Sequence, residues 1–239
     1  MVKLIDELSV FLPAYNEEGN IEKVVSNTKK VLAKVVDRWE LIIVEDGSKD
    51  KTPEISDKLG KRYKPRIRVV HHSPNRGYGG TLKTGFKEAK YEWIAFIDAD
   101  GQFDFSEITK FITKQKEKNA DLVLGIRGNR ADSFIRKVFT WGWSVVLPRL
   151  LFGLKVTDYS CGFKMIRKGV FNKVQPLIGE EKVTQIEMLV KAQRAGYKFA
   201  EVRVHHYPRG SGHQTGADLK VITRSIRDLF KLWWQLKKV

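Results

Sequence analysis

Short apolar runs rich in β-branched residues recur along the first half of the chain, separated by longer amphipathic stretches. Residues 8–12, 41–44, 67–70, 93–97 and 122–126 read as buried strands. Helical spacing marks residues 19–36, 52–63, 79–89 and 105–117 between them. This alternation predicts an α/β fold: a mostly parallel central sheet with helices on both faces. After Ile126 the pattern changes. Residues 127–154 read as a loop followed by one or two apolar helices, 160–166 as a strand, 183–195 as a helix and 199–204 as a strand. A Gly- and His-rich loop over 208–216 precedes an amphipathic helix from about Asp218 to Lys238. No repeat, low-complexity tract or linker interrupts the chain. Residues 1–217 are therefore expected to form one domain, with 218–239 as an appended helix.

Composition narrows the class. The 239 residues, 42% of them hydrophobic, suit a compact domain with a sizeable core rather than a disordered chain. A single cysteine, Cys161, excludes an internal disulfide framework and fits a reducing compartment. Asp6 and Glu7 interrupt the start where a secretory signal needs an apolar core, so a cytoplasmic location is expected. No uncharged apolar stretch of about 18 residues is present, which predicts no spanning helix. The formal charge of +16 concentrates polyanions: nucleic acid, anionic headgroups or phosphorylated substrates.

The candidate chemistry sits just after the strands, where an open α/β sheet holds its ligands. Strand one ends in Pro13-Ala14-Tyr15-Asn16-Glu17 and strand two in Glu45-Asp46-Gly47-Ser48-Lys49-Asp50. Strand three leads to Asn75-Arg76-Gly77-Tyr78-Gly79-Gly80, and strand four ends in Asp98-Ala99-Asp100-Gly101-Gln102. Asp and Gly are ordinary turn formers, and Ser48 or Asp50 could simply cap a helix. Four such clusters on one sheet edge say more than any one of them. In extended backbone Asp98, Asp100 and Gln102 would face one way and offer oxygens to a hard cation, Mg²⁺ or Mn²⁺. Such a cation stabilises a departing diphosphate. Gly77 and Gly79 precede a helix, whose free N–H groups suit an anion. The turn is no Walker loop, since no Gly-Lys-Ser/Thr follows, and strand one lacks the GxGxxG of a dinucleotide-binding dehydrogenase.

Together these four motifs resemble glycosyltransferase family 2, with a GT-A fold, and within it the dolichol-phosphate mannose synthases and bacterial polyprenyl-phosphate glycosyltransferases. The resemblance runs from about Leu8 to Gly210. It implies an inverting, metal-dependent transferase using a UDP- or GDP-sugar. Pro13, Tyr15 and Glu17 would line the nucleotide pocket, with Gly77 and Gly79 beside it, and Asp46 would accept a hydrogen bond from base or ribose. Asp98, Asp100 and Gln102 would hold Mg²⁺ or Mn²⁺. Arg127 and Arg136 would meet acceptor or donor phosphate, Asp158 would be the acceptor-side acid, and Arg209 would close over phosphate. The Gln-x-x-Arg-Trp motif of processive polysaccharide synthases is absent, as are the C-terminal spans of many lipid-phosphate relatives.

The acceptor decides what these groups must do. A polyprenyl phosphate arrives anionic and needs only positive charge to align it, which Arg127, Arg136 and Arg209 supply. A saccharide or small-molecule hydroxyl needs a base, and Asp158 is the candidate. A lipid acceptor also needs bilayer contact. Residues 138–154 and the last helix, with Ile222, Ile226, Leu229, Phe230, Trp233 and Leu236 at helical spacing among basic residues, could supply it at the membrane face, alone or beside a separate membrane subunit. The same stripe could instead pack on the sheet. His205, His206 and His213 are expected as solvated or hydrogen-bonded loop residues rather than metal ligands, and His213 and Gln214 as possible donor-phosphate contacts on loop closure. Glu187 faces the acceptor or is a plain surface residue. A nucleic-acid-binding module would use the charge but gives no reason for acidic clusters that repel phosphate.

Overall fold

The computed structural model describes residues 3–128, 146–210 and 219–237, with side chains in the last segment from residue 227 onward. Seven described strands form one sheet in the order β3-β2-β1-β4-β6-β5-β7. They are β1 (Ile5–Ala14), β2 (Val36–Glu45), β3 (Ile67–His71), β4 (Trp93–Ile97), β5 (Leu122–Arg127), β6 (Phe163–Arg167) and β7 (Phe199–Val204). Helices α1 (Ile21–Val35), α2 (Thr52–Arg62), α3 (Gly77–Glu88), α4 (Ile108–Lys118), α5 (Leu147–Phe152), α6 (Lys168–Lys173), α7 (Val183–Arg194) and α8 (Leu219–Lys237) cover it. Each strand and long helix expected from the pattern is present, with ends shifted by up to three residues except at β2, which starts five residues earlier than expected.

The period of two along β1 explains the two cores. Val10 and Leu12 point into one layer with Ile21, Val25 and Leu32 of α1 and Phe111 of α4. Phe11 points into the other, against Phe86 of α3 and Phe96 of β4, at ring separations of 5.0 and 5.3 Å. The second layer also receives Leu229, Leu232 and Leu236, so α8 lies on the domain by one apolar face. Arg194 fixes its end by donating to the Leu236 carbonyl at 2.8 Å. Phe230 and Trp234 of the same helix stay exposed. The stripe read from the sequence thus divides, part packing on the domain and part facing out; the side chains of Ile222 and Ile226 lie outside the described residues.

One strand runs against the rest. β6 pairs antiparallel with both β4 and β5, while β1, β2, β3, β4 and the β5–β7 pair are parallel. Reversal puts the amino end of β6, preceded by residues 158–162, on the edge where the parallel strands end. β1 has β2 on one side and β4 on the other, and the connections diverge there, which opens a crevice beyond its carboxyl end. Every motif picked out in the sequence within the described residues reaches this edge.

Candidate active site

The turn after β1 is held by that after β2. Asn16, in the left-handed region at φ 55°, donates its N–H to Ser48 Oγ at 2.9 Å and accepts at Oδ1 from Lys49 N–H at the same distance. The Glu17 N–H donates to Thr52 Oγ1 at 2.7 Å, while its carboxylate accepts from Asn20 Nδ2 at 2.8 Å and from Arg209. Burial raises the Glu17 pKa against these donors. Tyr15 is exposed beside it and Pro13 is inside the sheet. Asp46 is buried, and Oδ1 accepts from His72 Nδ1 at 2.6 Å and from the Arg76 N–H at 2.9 Å. Asp46 thereby pins the loop that leads into α3.

Gly77 and Gly79 have a packing reason that the sequence did not reveal. A Cβ on Gly77 would stand 2.4 Å from Glu181 Oε1, and one on Gly79 2.3 Å from Thr184 Oγ1. The amino end of α3 is therefore pressed against the start of α7. The anion near its N–H groups is Glu181, which accepts from the Tyr78 N–H at 3.4 Å.

The residues after β4 adopt a turn rather than the extended run expected. Gly101 sits at φ 73°, a conformation glycine takes without strain, and Asp100 Oδ1 accepts from the Gln102 N–H at 3.0 Å. Gln102 Nε2 donates to the Tyr207 carbonyl at 3.0 Å. Asp98 accepts from Tyr78 Oη at 2.8 Å and lies so close to Gly162 that a Cβ there would be 1.9 Å from Asp98 Oδ2. Burial, then the charge of Asp100, pushes the Asp98 carboxyl up to about 7. Arg209 Nη1 stands 3.8 Å from Asp100 Oδ2, so this late arginine bridges toward both Asp100 and Glu17.

Across the crevice, Arg127 at the end of β5 grips Asp158. Nε donates to Oδ2 and Nη2 to Oδ1, both at 2.8 Å, and Nη2 also reaches Ser160 Oγ at 2.5 Å. Burial opposes the Arg127 charge, and Asp158 outweighs it, raising its pKa. Arg136, His213 and Gln214 lie outside the described residues. His205 Nδ1 is 3.0 Å from Glu107 Oε1, and His206 packs edge-on to Phe103. Glu187 corrects both sequence readings. It is buried, accepts from the Ile178 and Gly179 N–H groups at 2.9 and 2.6 Å, and pairs with Lys191 at 2.6 Å. Sequence reading also passed over Tyr78, Lys164 and Gln185. A lysine inside an apolar strand, Phe163-Lys164-Met165-Ile166, was the available signal for one of them.

The hard oxygens of Asp98, Asp100 and Gln102 suit Mg²⁺ or Mn²⁺. Among the described residues no three His, Cys, Asp or Glu side chains group to hold a metal by themselves. Two adjacent carboxylates, one with its pKa raised by burial and then by the other, fit a cation that fills its shell from a bound diphosphate.

A doubly wound sheet with this edge is the GT-A arrangement of nucleotide-diphospho-sugar transferases. The profile of glycosyl transferase family 2 matches residues 9–175, and the chain belongs to that family. It is 32% identical over 237 residues to glycosyltransferase AglD of Haloferax volcanii, covering 96% of this chain and 37% of that protein. It is 31% identical over 211 residues to dodecaprenyl-phosphate galacturonate synthase of Rhizobium johnstonii, covering 86% and 60%. The chain thus spans between about a third and two thirds of the length of these relatives. Glucosyl-3-phosphoglycerate synthase of Mycobacterium tuberculosis, in complex with Mn²⁺, UDP and glucosyl-3-phosphoglycerate, shares the fold. Its TM-score is 0.70 at 20% identity, over 96% of this chain and 80% of that one.

Proposed function

We propose that the protein transfers a sugar, with inversion, from a nucleoside diphosphate donor to a polyprenyl phosphate. The observation that carries the reading is the carboxylate pair Asp98 and Asp100 at the crevice beside β1, where burial and mutual repulsion call for a cation. A divalent ion held by Asp98 and Asp100, with Gln102 beside them, would supply charge for the leaving diphosphate. Pro13, Tyr15, Glu17 and Asp46 border the nucleotide, and Arg209 can leave its carboxylate partners for donor phosphate as the ion takes over their charge. Galacturonate transfer to dodecaprenyl phosphate by the Rhizobium relative supports a lipid-phosphate acceptor.

The acceptor side supports the same choice. Asp158 has both oxygens engaged by Arg127, which lowers its worth as a base. A phosphate oxygen needs no deprotonation, only alignment by positive charge, which Arg136 would supply, with Arg127 joining it where phosphate competes with Asp158 for its guanidinium. Among the described residues no helix is long and apolar enough to cross a membrane. Peripheral contact through residues 218–239, with Phe230 and Trp234 exposed among basic residues, would bring the lipid to the site at the cytoplasmic face, alone or with a membrane subunit. The test is a panel of UDP- and GDP-sugars with undecaprenyl phosphate in detergent, scoring label in the lipid phase. Transfer that requires Mn²⁺ or Mg²⁺ and stops with EDTA is expected. Transfer only to free saccharides, or transfer indifferent to chelation, would overturn the reading.

A further inference from the structure

Lys164 lies in β6, fully buried, opposite Phe96 of β4 in the sheet register. Its ammonium donates to the Cys161 carbonyl and to Gln185 Oε1. Lysine has no acceptor, so the oxygen end of the Gln185 amide must face it. The Gln185 NH₂ is thereby turned to Tyr78 Oη, at 3.4 Å. With that hydroxyl accepting, its own proton points to Asp98 Oδ1 at 2.8 Å. Each bond in this series sets the direction of the next. The series begins on the turn that carries Asp158 and Ser160, and ends on a carboxylate of the donor side.

We propose that Lys164, through Gln185 and Tyr78, is a positioning residue that orients Asp98 toward the donor cation and ties that orientation to the acceptor-side turn. The inference rests on the reading of Asp98 as a cation-holding residue. Four elements meet in the series: β6, α7, α3 and the end of β4. Gly162 closes the remaining side of Asp98, since any Cβ there would collide with the carboxylate. Asp98 is thus held between the Tyr78 hydroxyl and the Gly162 backbone. A buried lysine is costly to retain, and burial pulls its pKa down to about 8 against the nearby carboxylates of Asp158 and Asp98. An apolar residue would fill the same space without that cost, but would leave the Gln185 amide free to turn over and the Cys161 carbonyl unbonded.

The test measures Mn²⁺ binding to the full chain by electron paramagnetic resonance in the presence of UDP or GDP, alongside transfer kinetics and melting temperature. Tyr78→Phe and Gln185→Met are each expected to weaken Mn²⁺ binding by about three- to tenfold, the net worth of one ordinary hydrogen bond. The double variant should be no weaker than Tyr78→Phe, because both changes interrupt one series. Lys164→Met should add a raised KM for the lipid phosphate, since the Cys161 carbonyl is released as well. If Lys164→Met does not fold, the other two variants still decide. Mn²⁺ affinity unchanged in folded Tyr78→Phe and Gln185→Met would overturn the inference alone. Failure of the unaltered chain to bind Mn²⁺ with either UDP or GDP present would overturn the cation reading and this inference with it.

Discussion

The two banks of the crevice handle negative charge in opposite ways. On the acceptor side Asp158 is matched by Arg127 in a two-point pair and by Ser160. On the donor side Asp98 and Asp100 stand together and take neutral donors, the Tyr78 hydroxyl and the Gln102 N–H, with Arg209 only at 3.8 Å from Asp100. One bank is neutralised from within. The other is less compensated from within, and on the proposed reading a cation shared with a diphosphate makes up the difference. Lys164 and Lys182 temper the field at Asp98 without reversing it, since its carboxyl still sits near 7.

The largest way to break this asymmetry is Asp100→Asn. The amide can still accept from the Gln102 N–H, so the turn is retained, while the charge meant for the cation is gone. Metal-supported transfer should fall by on the order of 100-fold or more, as when a transition-state charge loses its stabilising partner. A Mn²⁺ titration of lipid-linked product would check it, and a loss rescued fully by excess Mn²⁺ would show weakened affinity only. Gly162→Ala is next. Its Cβ would meet Asp98 Oδ2 at 1.9 Å, and the glycine lies between two held turns. Asp98 must swing away from Tyr78, and Mn²⁺ affinity should drop by about tenfold, the order of one charge-assisted hydrogen bond and its geometry.

The acceptor bank should respond in stability as well. Asp158→Asn leaves the Arg127 charge half-buried without its partner and should cost about 3 kcal/mol in urea unfolding, the low end for breaking a buried pair. Adding Arg127→Gln to Asp158→Asn should recover part of it, because no uncompensated charge remains. The donor-side change Asp100→Asn should not destabilise, and relief of carboxylate repulsion could raise the melting point. Equal losses from both banks would erase the distinction drawn between them.

The donor bank was legible from strand order, whereas on the acceptor bank Asp158 was reached by family resemblance alone. Donor residues follow their strands directly, so Glu17, Asp46, Asp98 and Asp100 could be put on one edge from strand order alone. Asp158 reaches that edge only because β6 runs backwards, and no local pattern announces a strand's direction. Spacing misled at Asp98–Gln102, where alternation suggested extended backbone and Gly101 permits a turn. It misled again at Gly77 and Gly79, whose missing Cβ atoms admit Glu181 and Thr184 from about a hundred residues away. Lys164, Gln185 and Tyr78 were passed over for the same reason. Their meaning lies in partners that the chain's order does not bring near.

The smallest effect sharpens the comparison at the far flank of the donor half, where two carboxylates again share one cation. His71 Nδ1 is 3.0 Å from Glu45 and Nε2 3.0 Å from Asp57, joining the end of β3 to β2 and α2. Burial alone would lower its pKa, but Asp57 and Glu45 outweigh it and raise the value above 6.5. A raised folded value means that the folded chain binds the proton more tightly than the unfolded one. The stabilisation is therefore complete below about pH 6.5, the unfolded value, and fades as pH climbs through the higher folded value. The pair is partly exposed, so its worth should stay under about 1 kcal/mol. Urea midpoints of His71→Gln and the unaltered chain should differ at pH 6 and converge by pH 9. A gap that widens with pH would mean that His71 works as a neutral packing residue instead, and that the donor half does not share cations on this flank.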